Sequence, residues 1–302
     1  MLSVNWDVSP VIFNIGSFQL RYYGVLFIIG FYLGYYMFRH FFRRENKPLE
    51  LLDTLLWTLM ICTIVGARLG HVLFYQPDYY LANPLEILKV WHGGLASHGG
   101  TIAIMIGMWW FVKKYGRKHN FGYIWLLDRL AVATAFAAMF IRLGNLMNSE
   151  IYGHETSLPW GFVFLQNGET VAKHPTQLYE ALAYLCTGVI LWCIYKYALP
   201  KIKEGLLLGI FFIGIFLSRF FIEFVKENQV GFEEGMALNM GQLLSIPFVL
   251  LGIKKTTVKV AFFINISPYP FSCPSPLWCC ACRTRACLWQ GRCSALHSRS
   301  RQ

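Results

Sequence analysis

The residues best suited to chemistry lie in the segment FIRLGNLMNSEIYG, residues 140–153. Arg142 is followed by Asn145 and Asn148, three residues apart, and then by Glu150. An arginine fork matches the paired oxygens of a phosphate or carboxylate, and neighbouring amides add neutral hydrogen bonds. Because the segment follows directly on an apolar run, it predicts an anion site at the mouth of a membrane helix. Capping of the helix end by the asparagines is the structural alternative.

Further ionisable residues interrupt other apolar runs. Arg68 lies in the second apolar run and Glu180 in the fifth. Arg219 and Glu223 lie four residues apart in the sixth run, and hence on one helix face. Each costs at least about 2.5–3.5 kcal/mol near the centre of a membrane helix. Pairing of Arg219 with Glu223, and of Arg68 with Glu180, would make them scaffolding. With Arg142, however, three arginines face two acids, which predicts a positive pocket that binds a phospholipid phosphate.

His98 is the candidate proton acceptor. It lies in WHGGLASHGG, residues 91–100, where four glycines allow a sharp turn or a close approach to a ligand. The ordinary pKa of histidine lies near neutral pH, so its imidazole can accept a proton there. The alternative is a structural histidine at the start of a helix. His92 and His174 are weaker candidates. Tyr23, in RYYG at the start of the first run, is a candidate ligand or an ordinary interfacial tyrosine.

The composition places these residues in a membrane protein. Of 302 residues, 56% are hydrophobic and 14% are charged, whereas soluble domains carry about 25% charged residues. Apolar runs of about 20 residues predict membrane helices, since the backbone must satisfy its own hydrogen bonds in lipid. Five arginines of the +11 net charge lie after residue 264, and the remaining surplus lies in short loops. That distribution indicates topology rather than nucleic-acid binding.

The runs predict an all-α polytopic membrane protein with seven spans. We place the spans at about residues 18–42, 51–75, 95–112, 122–143, 176–198, 205–225 and from 240 onward. Lys and Arg cluster in alternate loops, which predicts an outside N-terminus and a cytoplasmic C-terminus. The polar segment at about 144–175 is then a small outside cap. The seventh span is short before Lys254 and Lys255, unless those lysines snorkel or the helix continues to Phe263.

The cysteines suggest neither a disulfide framework nor a metal site in the predicted membrane domain, residues 1–264. Cys62, Cys186 and Cys193 lie within apolar runs and are interpreted as buried thiols. The tail, residues 265–302, holds six cysteines and no acid, and we interpret it as disordered or artefactual. Its cysteines at 279, 282, 287 and 293 are poorly spaced for zinc. No cofactor is expected.

Seven short motifs occur in order along the chain: RYYG (21–24), GARLGHVLFY (66–75), WHGGLASHGG (91–100), RLGNLMNSEIYG (142–153), HPTQLYE (174–180), SRFFIEF (218–224) and MGQLLSIP (240–247). In combination they resemble the bacterial prolipoprotein diacylglyceryl transferase family. The resemblance covers about residues 5–253 and excludes the tail.

The resemblance implies a multi-pass enzyme of the bacterial cytoplasmic (inner) membrane. It would move the diacylglyceryl group of phosphatidylglycerol onto the lipobox cysteine of a prolipoprotein, the first step of lipoprotein maturation, and release glycerol phosphate. Its partners would be phosphatidylglycerol, membrane lipid and prolipoprotein signal peptides, with no nucleic acid, and we expect a monomer. The catalytic residues would be His98, Arg142 and Arg219, and the substrate-binding residues Arg142, Tyr23, Asn145, Asn148, Glu150, Arg68 and Glu223.

One position departs from the family pattern. Some members carry a tyrosine four residues before the second arginine, where this chain has Ile215. The function of that hydroxyl is then dispensable or supplied from elsewhere. A transporter or flippase for an organic anion, or a non-catalytic lipid-binding scaffold, would also use membrane arginines. The sequence shows no internal repeat of the kind that transporters carry, and a scaffold would not need His98.

Overall fold

A computed structural model describes residues 3–16, 18–89, 94, 96–199, 202–227 and 236–266. The helices are α1 (Tyr22–Arg44), α2 (Glu50–Phe74), α3 (Pro77–Ala82), α4 (Ser97–Phe111), α5 (Arg117–His119), α6 (Tyr123–Met147), α7 (Thr176–Ala198), α8 (Leu206–Phe212), α9 (Ser218–Ile222) and α10 (Met240–Ile266). The strands are β1 (Val4–Trp6), β2 (Val11–Ile15), β3 (Phe18–Arg21) and β4 (Phe162–Phe164). Turns of 3₁₀ helix lie at Pro84–Leu88, Leu165–Asn167 and Glu223–Val225, and π turns at Val112–Gly116 and Ile213–Leu217.

Five helical segments are long and apolar enough to cross a membrane. Within the described residues these are Tyr22–Arg44, Glu50–Phe74, Tyr123–Met147, Thr176–Ala198 and Leu206–Val225. The protein is therefore a mostly helical, multi-pass membrane protein, as the composition predicts. Seven spans and their orientation stay predictions.

The two other predicted spans are also helical. The third continues from α4 through the π turn Val112–Gly116 into α5, so that 97–119 forms one run. The seventh is the 27-residue helix α10, which passes Lys254 and Lys255 instead of ending before them. The described residues up to Val260 form one compact unit. The boundary at 264 stays a prediction, and the tail beyond Ile266 lies outside the described residues.

The predicted start of the first span is wrong, because its first four residues form a strand. Phe18–Arg21 is β3, which pairs antiparallel with β2, and α1 begins at Tyr22. Apolar and polar residues alternate in FQLR, which is the period of a strand and not of a helix. Tyr23 therefore lies in the first turn of α1.

A small cap combines the N-terminus with the predicted polar segment. Strand β1 pairs parallel with β4, with Asn5 opposite Val163. The indole of Trp6 stacks on Phe162 and donates a hydrogen bond to the carbonyl oxygen of Leu146, 3.2 Å away, at the end of α6. The strands depart from a purely helical fold, and they fix the cap above the last turn of α6.

Helix α6 lies at the centre of the core, where it packs against α1, α7 and α8, while α2 packs along α4. The α2–α4 contact depends on facing glycines: a Cβ on Gly70 would lie 2.7 Å from the Cα of Gly99. Small residues of this kind allow close approach of membrane helices. The start of α4 is also held against α2, because the backbone N–H of Ala96 donates to the carbonyl oxygen of Ala67 at 2.9 Å.

The opposite end of α6 carries buried charges that the sequence survey of apolar runs missed. Arg129 pairs with Glu45 at 2.6 Å, and Glu45 also accepts from the Trp125 indole and the Tyr195 hydroxyl. Asp128 accepts from the backbone N–H groups of Gly205 and Leu208 and so caps the N-terminus of α8. This network fixes the helix positions at the end of the molecule remote from Arg142.

Candidate active site

Arg142 and Glu180 form the centre of the candidate site. Arg142 lies in the last turns of α6, and Glu180 lies one turn into the adjacent α7. The Arg142 Nε is 2.8 Å from the Glu180 Oε2, and Glu180 is fully buried. The predicted pairing of Glu180 with Arg68 is therefore wrong, because α7 packs beside α6 and presents this carboxylate to Arg142.

A chain of amide and carboxylate contacts extends from Arg142 toward the cap. Its Nη1 donates to the Asn145 Oδ1 at 3.4 Å, and the Asn145 Nδ2 donates to the Glu150 Oε2 at 3.2 Å. The Asn148 Nδ2 donates to the other Glu150 oxygen at 3.2 Å. Glu150 thus positions both asparagines and reaches Arg142 only through Asn145.

The HPTQLYE motif holds this turn in place. Thr176 Oγ1 donates to the carbonyl oxygen of Ile151 at 2.8 Å, and the Gln177 Nε2 donates to that of Glu150. Ser149 and Ile151 both have positive φ, at 54° and 61°, which such side chains adopt only when their surroundings hold them there.

Asn148 ends α6 and its buried Oδ1 has no partner among the described residues, so it can accept a ligand hydroxyl.

The second half of the site comes from the sixth apolar run. Arg219 Nε lies 3.9 Å from the Glu223 Oε2, so this predicted pair is present but loose. Lys226 lies between two carboxylates, with its Nζ 3.4 Å from Glu223 and 3.5 Å from Glu180. An unbroken series of contacts therefore connects Arg219 to Arg142.

Lys226 is a buried residue of the candidate site that the sequence interpretation missed. It is 2% exposed, although it directly follows the apolar run and resembles an ordinary loop lysine. The spacing of Arg219, Glu223 and Lys226 at i, i+4 and i+7 places all three on one helix face and could have revealed it. The cluster then holds three cations, Arg142, Arg219 and Lys226, against the carboxylates Glu180 and Glu223. Among these five described side chains the cations exceed the carboxylates by one, and Glu150 adds a third carboxylate at the edge of the site through Asn145. The buried Arg219 Nε has no hydrogen-bond partner among the described residues.

Tyr23 lies directly on the backbone of the α6 end. A Cβ on Gly144 would lie 2.7 Å from the Tyr23 Cδ2, so only glycine permits this contact two residues after Arg142. Tyr184, one turn after Glu180, is buried with its hydroxyl directed at Arg142. Ile215 is buried within the π turn before Arg219. Position 215 therefore contributes an apolar side chain, while the hydroxyl beside Arg142 comes from the neighbouring helix α7.

His98 and Arg68 lie where α2 and α4 cross. His98 is exposed in the first turn of α4. Arg68 is 4% exposed and donates to the carbonyl oxygens of Ile87 and Gly94, at 2.9 and 3.2 Å. These hydrogen bonds hold the loop after α2 in place. His92 lies outside the described residues.

The cap closes over the sixth apolar run through backbone and ionic contacts. The backbone N–H of His154 donates to the carbonyl oxygen of Val225 at 2.9 Å. Lys173 pairs with Glu227 at 2.6 Å and with Glu169 at 3.0 Å. Burial lowers the pKa of Lys173, but the hydrogen bonds that its ammonium group donates to Glu227 and Glu169 outweigh burial and raise that pKa overall. The pKa of Glu169 is lowered, first by the hydrogen bond that the Tyr152 hydroxyl donates and next by the one that Lys173 donates. Both groups are therefore charged at neutral pH, and Lys173 ties the cap to Glu227, the residue after Lys226.

Burial, and the nearby His154, lower the pKa of His174 below its usual value. Its Nδ1 lies 3.2 Å from the Tyr179 hydroxyl, so His174 is a neutral, hydrogen-bonded residue at the entry of α7. This supports the structural interpretation of His174.

Comparison with known proteins agrees with the arrangement of these residues. Residues 10–257 match the family model described as prolipoprotein diacylglyceryl transferase. A phosphatidylglycerol–prolipoprotein diacylglyceryl transferase of Tolumonas auensis is 45% identical over 248 residues, covering 82% of this chain and 94% of that protein. Enzymes with the same name from Porphyromonas gingivalis and Bacteroides fragilis are 47% and 43% identical, covering 83% and 86% of this chain and 92% and 99% of their own lengths. The chain therefore belongs to the prolipoprotein diacylglyceryl transferase family.

Proposed function

We propose that this chain transfers the diacylglyceryl group of phosphatidylglycerol to the lipobox cysteine of a prolipoprotein. The product is a thioether, glycerol phosphate is released, and the reaction is the first step of lipoprotein maturation. Family membership and the names of the similar enzymes support the reaction. The observation that carries it structurally is the connected cluster from Arg142 to Arg219, in which two arginines and Lys226 lie around two buried carboxylates and the Arg219 Nε has no hydrogen-bond partner among the described residues.

The chemistry requires a leaving phosphate to be stabilised. The cysteine sulfur attacks the glycerol carbon, a carbon–sulfur bond forms, and the bond from that carbon to the phosphate oxygen breaks with its electron pair. Fixed cations stabilise the growing negative charge best where water is scarce. Arg142 and Arg219 would contact the phosphate, while Asn145 and Asn148 would hold the headgroup hydroxyls. Glu150, Glu180 and Glu223 orient those side chains.

The thiol must lose its proton, and His98 is our candidate base. A cysteine has a pKa near 8.5, so a base increases the thiolate fraction at neutral pH. His98 is exposed, and a substrate must bring its thiol to the imidazole, since the described residues do not place it in the arginine cluster. The variant His98→Ala should lose most turnover near pH 7 and regain part of it at pH 9. Turnover equal to wild type at both values would exclude His98 as the base.

The site would face the outer side of the bacterial inner membrane. We propose seven spans with the N-terminus outside, because the lysine-rich loops alternate with the cap and the acidic loops along the chain. Single cysteines at Glu155 in the cap and at Lys118 after α4 test this orientation. Only Glu155→Cys should react with a membrane-impermeant maleimide in intact cells, and the reverse pattern would invert the proposed topology.

The decisive experiment supplies both substrates to the purified protein. Phosphatidylglycerol and a lipobox peptide are incubated with it, and the peptide mass is measured. The mass of one diacylglyceryl group should be added at the cysteine, and a peptide with serine in that place should stay unmodified. A folded protein that adds no mass, or only moves lipid between vesicle leaflets, would overturn the proposal in favour of a scaffold or a transporter.

A further inference from the structure

The carboxylate of Glu223 lies between Arg219 and the start of α10. The Arg219 Nε is 3.9 Å from the Glu223 Oε2, which is too far for a hydrogen bond. The other side of the carboxyl group lies against Gly241, the second residue of α10. A Cβ built on Gly241 would lie 2.6 Å from the Glu223 Cδ, closer than real Cβ atoms approach, so this contact requires a glycine.

A reciprocal pair of hydrogen bonds fixes the first turn of α10. The Asn239 Oδ1 accepts from the backbone N–H of Gln242 at 2.9 Å, and the Gln242 Oε1 accepts from the backbone N–H of Asn239 at 3.0 Å. This is the arrangement of a capping box. The Gln242 Nε2 also donates to the carbonyl oxygen of Phe220 in α9, at 3.4 Å. The turn that carries Gly241 is thereby tied to α9, the helix that carries Arg219.

Two positive groups draw Glu223 away from Arg219. The Lys226 Nζ lies 3.4 Å from the Glu223 Oε2. The start of a helix carries the equivalent of about half an elementary positive charge, and α10 is 27 residues long. An arginine and a carboxylate four residues apart on a helix would otherwise close to about 2.7–2.9 Å. The loose contact at Arg219 therefore reflects competition for one carboxylate.

This competition leaves Arg219 available for an anion. Its buried Nε has no hydrogen-bond partner among the described residues, while its side chain as a whole is 34% exposed. A planar guanidinium grips two phosphate oxygens at once. A Glu223 carboxylate closed onto Arg219 would occupy the same N–H groups that a phosphate needs.

We infer that the first turn of α10, centred on Gly241, is a positioning element of the transfer reaction. It holds Glu223 off Arg219 and so keeps that arginine open to the phosphate of the lipid donor. The inference rests on the proposed transfer activity. A side chain at position 241 would displace the carboxylate from α10 toward the cations beside it, Arg219 and Lys226. A closed Arg219–Glu223 pair must then break before each lipid binds.

Gly241→Ala tests this arrangement through a split between KM and kcat. An ion pair closed in about nine molecules of ten would raise the KM for phosphatidylglycerol about tenfold, because apparent affinity falls with the competent fraction. The kcat at saturating lipid should stay within about twofold, since the lipid-bound enzyme is the same. Asn239→Ala releases the capped turn without adding bulk, so it should shift the KM in the same direction. It serves as the test if the Gly241 variant fails to fold, and a wild-type KM in it would then overturn the inference.

Shortening the carboxylate should reverse the effect of the new methyl group. Aspartate is one methylene shorter, so Gly241→Ala should raise the KM much less in a Glu223→Asp background than alone. Gly252→Ala is the matched control on the same helix, where a Cβ would lie 2.8 Å from the carbonyl oxygen of Gly209 and 2.9 Å from the Ile213 Cγ1 instead of meeting a carboxylate. This control should lower the thermal midpoint without changing the KM. Equal KM increases in the two alanine variants, or no coupling with Glu223→Asp, would overturn the inference.

Chemical labelling reads the state of Arg219 without any transfer. Phenylglyoxal modifies accessible guanidinium groups, and the peptide that contains Arg219 is followed by mass spectrometry. Wild type should be labelled there and protected by phosphatidylglycerol, whereas Gly241→Ala should lose most of the labelling. Equal labelling of the two folded proteins would refute the inference. A wild-type protein that is labelled and protected but makes no thioether would instead refute the proposed function and support the role of α10 in phosphate binding.

Discussion

The Nζ of Lys226 lies 3.5 Å from the Oε1 of Glu180, so a residue just after the sixth apolar run is joined to the middle of the candidate site. The other oxygen of Glu180 faces Arg142. One fully buried carboxylate therefore contacts two cations, Arg142 on α6 and Lys226 after the sixth apolar run. The relative positions of Arg142 and Arg219 depend on this carboxylate and on Lys226.

Replacement of Lys226 by methionine should destabilise the protein. Breaking a buried ionic contact by removing one partner costs about 3–5 kcal/mol, because Glu180 and Glu223 stay buried and both lose the ammonium group between them. Thermal unfolding in detergent should show a clear fall in midpoint, and Lys226→Arg should restore most of it. A methionine variant as stable as wild type would mean that Glu180 and Glu223 are satisfied by the arginines alone.

Arg142→Lys should remove activity while the fold persists. The charge is kept, but the planar fork that grips two phosphate oxygens is lost, and a missing transition-state donor costs about 100- to 1,000-fold in turnover. Arg129→Lys is the matched control on the same helix, where the arginine pairs with Glu45 far from the site. Turnover per folded molecule should change only in the Arg142 variant, and comparable losses in both would deny Arg142 a special role.

Gly144→Ala should impair the reaction through Tyr23. The new methyl group would lie 2.7 Å from the tyrosine ring, so the ring must move away from the end of α6. We expect at least about a tenfold loss, corresponding to about 1.4 kcal/mol, in kcat/KM for phosphatidylglycerol. Gly24→Ala, next to Tyr23 on α1, places its methyl in open space and should behave as wild type. A wild-type Gly144→Ala enzyme would show that the position of the Tyr23 ring is irrelevant.

Acidification should destabilise the entry of α7 through His174. Burial and His154 lower the pKa of His174 in the folded state. At pH values between this lowered pKa and the ordinary pKa near 6.5, the unfolded chain therefore binds more protons than the folded protein does. Stability therefore falls as the pH drops below about 6.5 and stops falling below the folded pKa. The thermal midpoint of wild type should decrease from pH 7.5 to 5.5 by more than that of His174→Gln, and identical slopes would assign the pH dependence to other groups.

Much of the fold was accessible from the sequence, for identifiable reasons. Apolar length predicts a membrane helix almost independently of context, and the fifth predicted span coincides with Thr176–Ala198. The start of the first span was missed, because a hydrophobicity window merges the strand Phe18–Arg21 with the helix that follows. Pairing between β1 and β4 joins segments about 158 residues apart, and no local pattern predicts such a contact.

The sequence by itself determined the membrane class, the family and the identity of the unusual polar residues, because these follow from composition and from local motifs. Only the tertiary structure decided which of those residues meet. Arg68 binds loop carbonyls instead of Glu180, Lys226 enters the cluster, and Tyr184 presents its hydroxyl from α7. The physical reason is that a buried charge must find its partners across helix interfaces, and which faces meet is settled by packing, such as the glycine contact between α2 and α4.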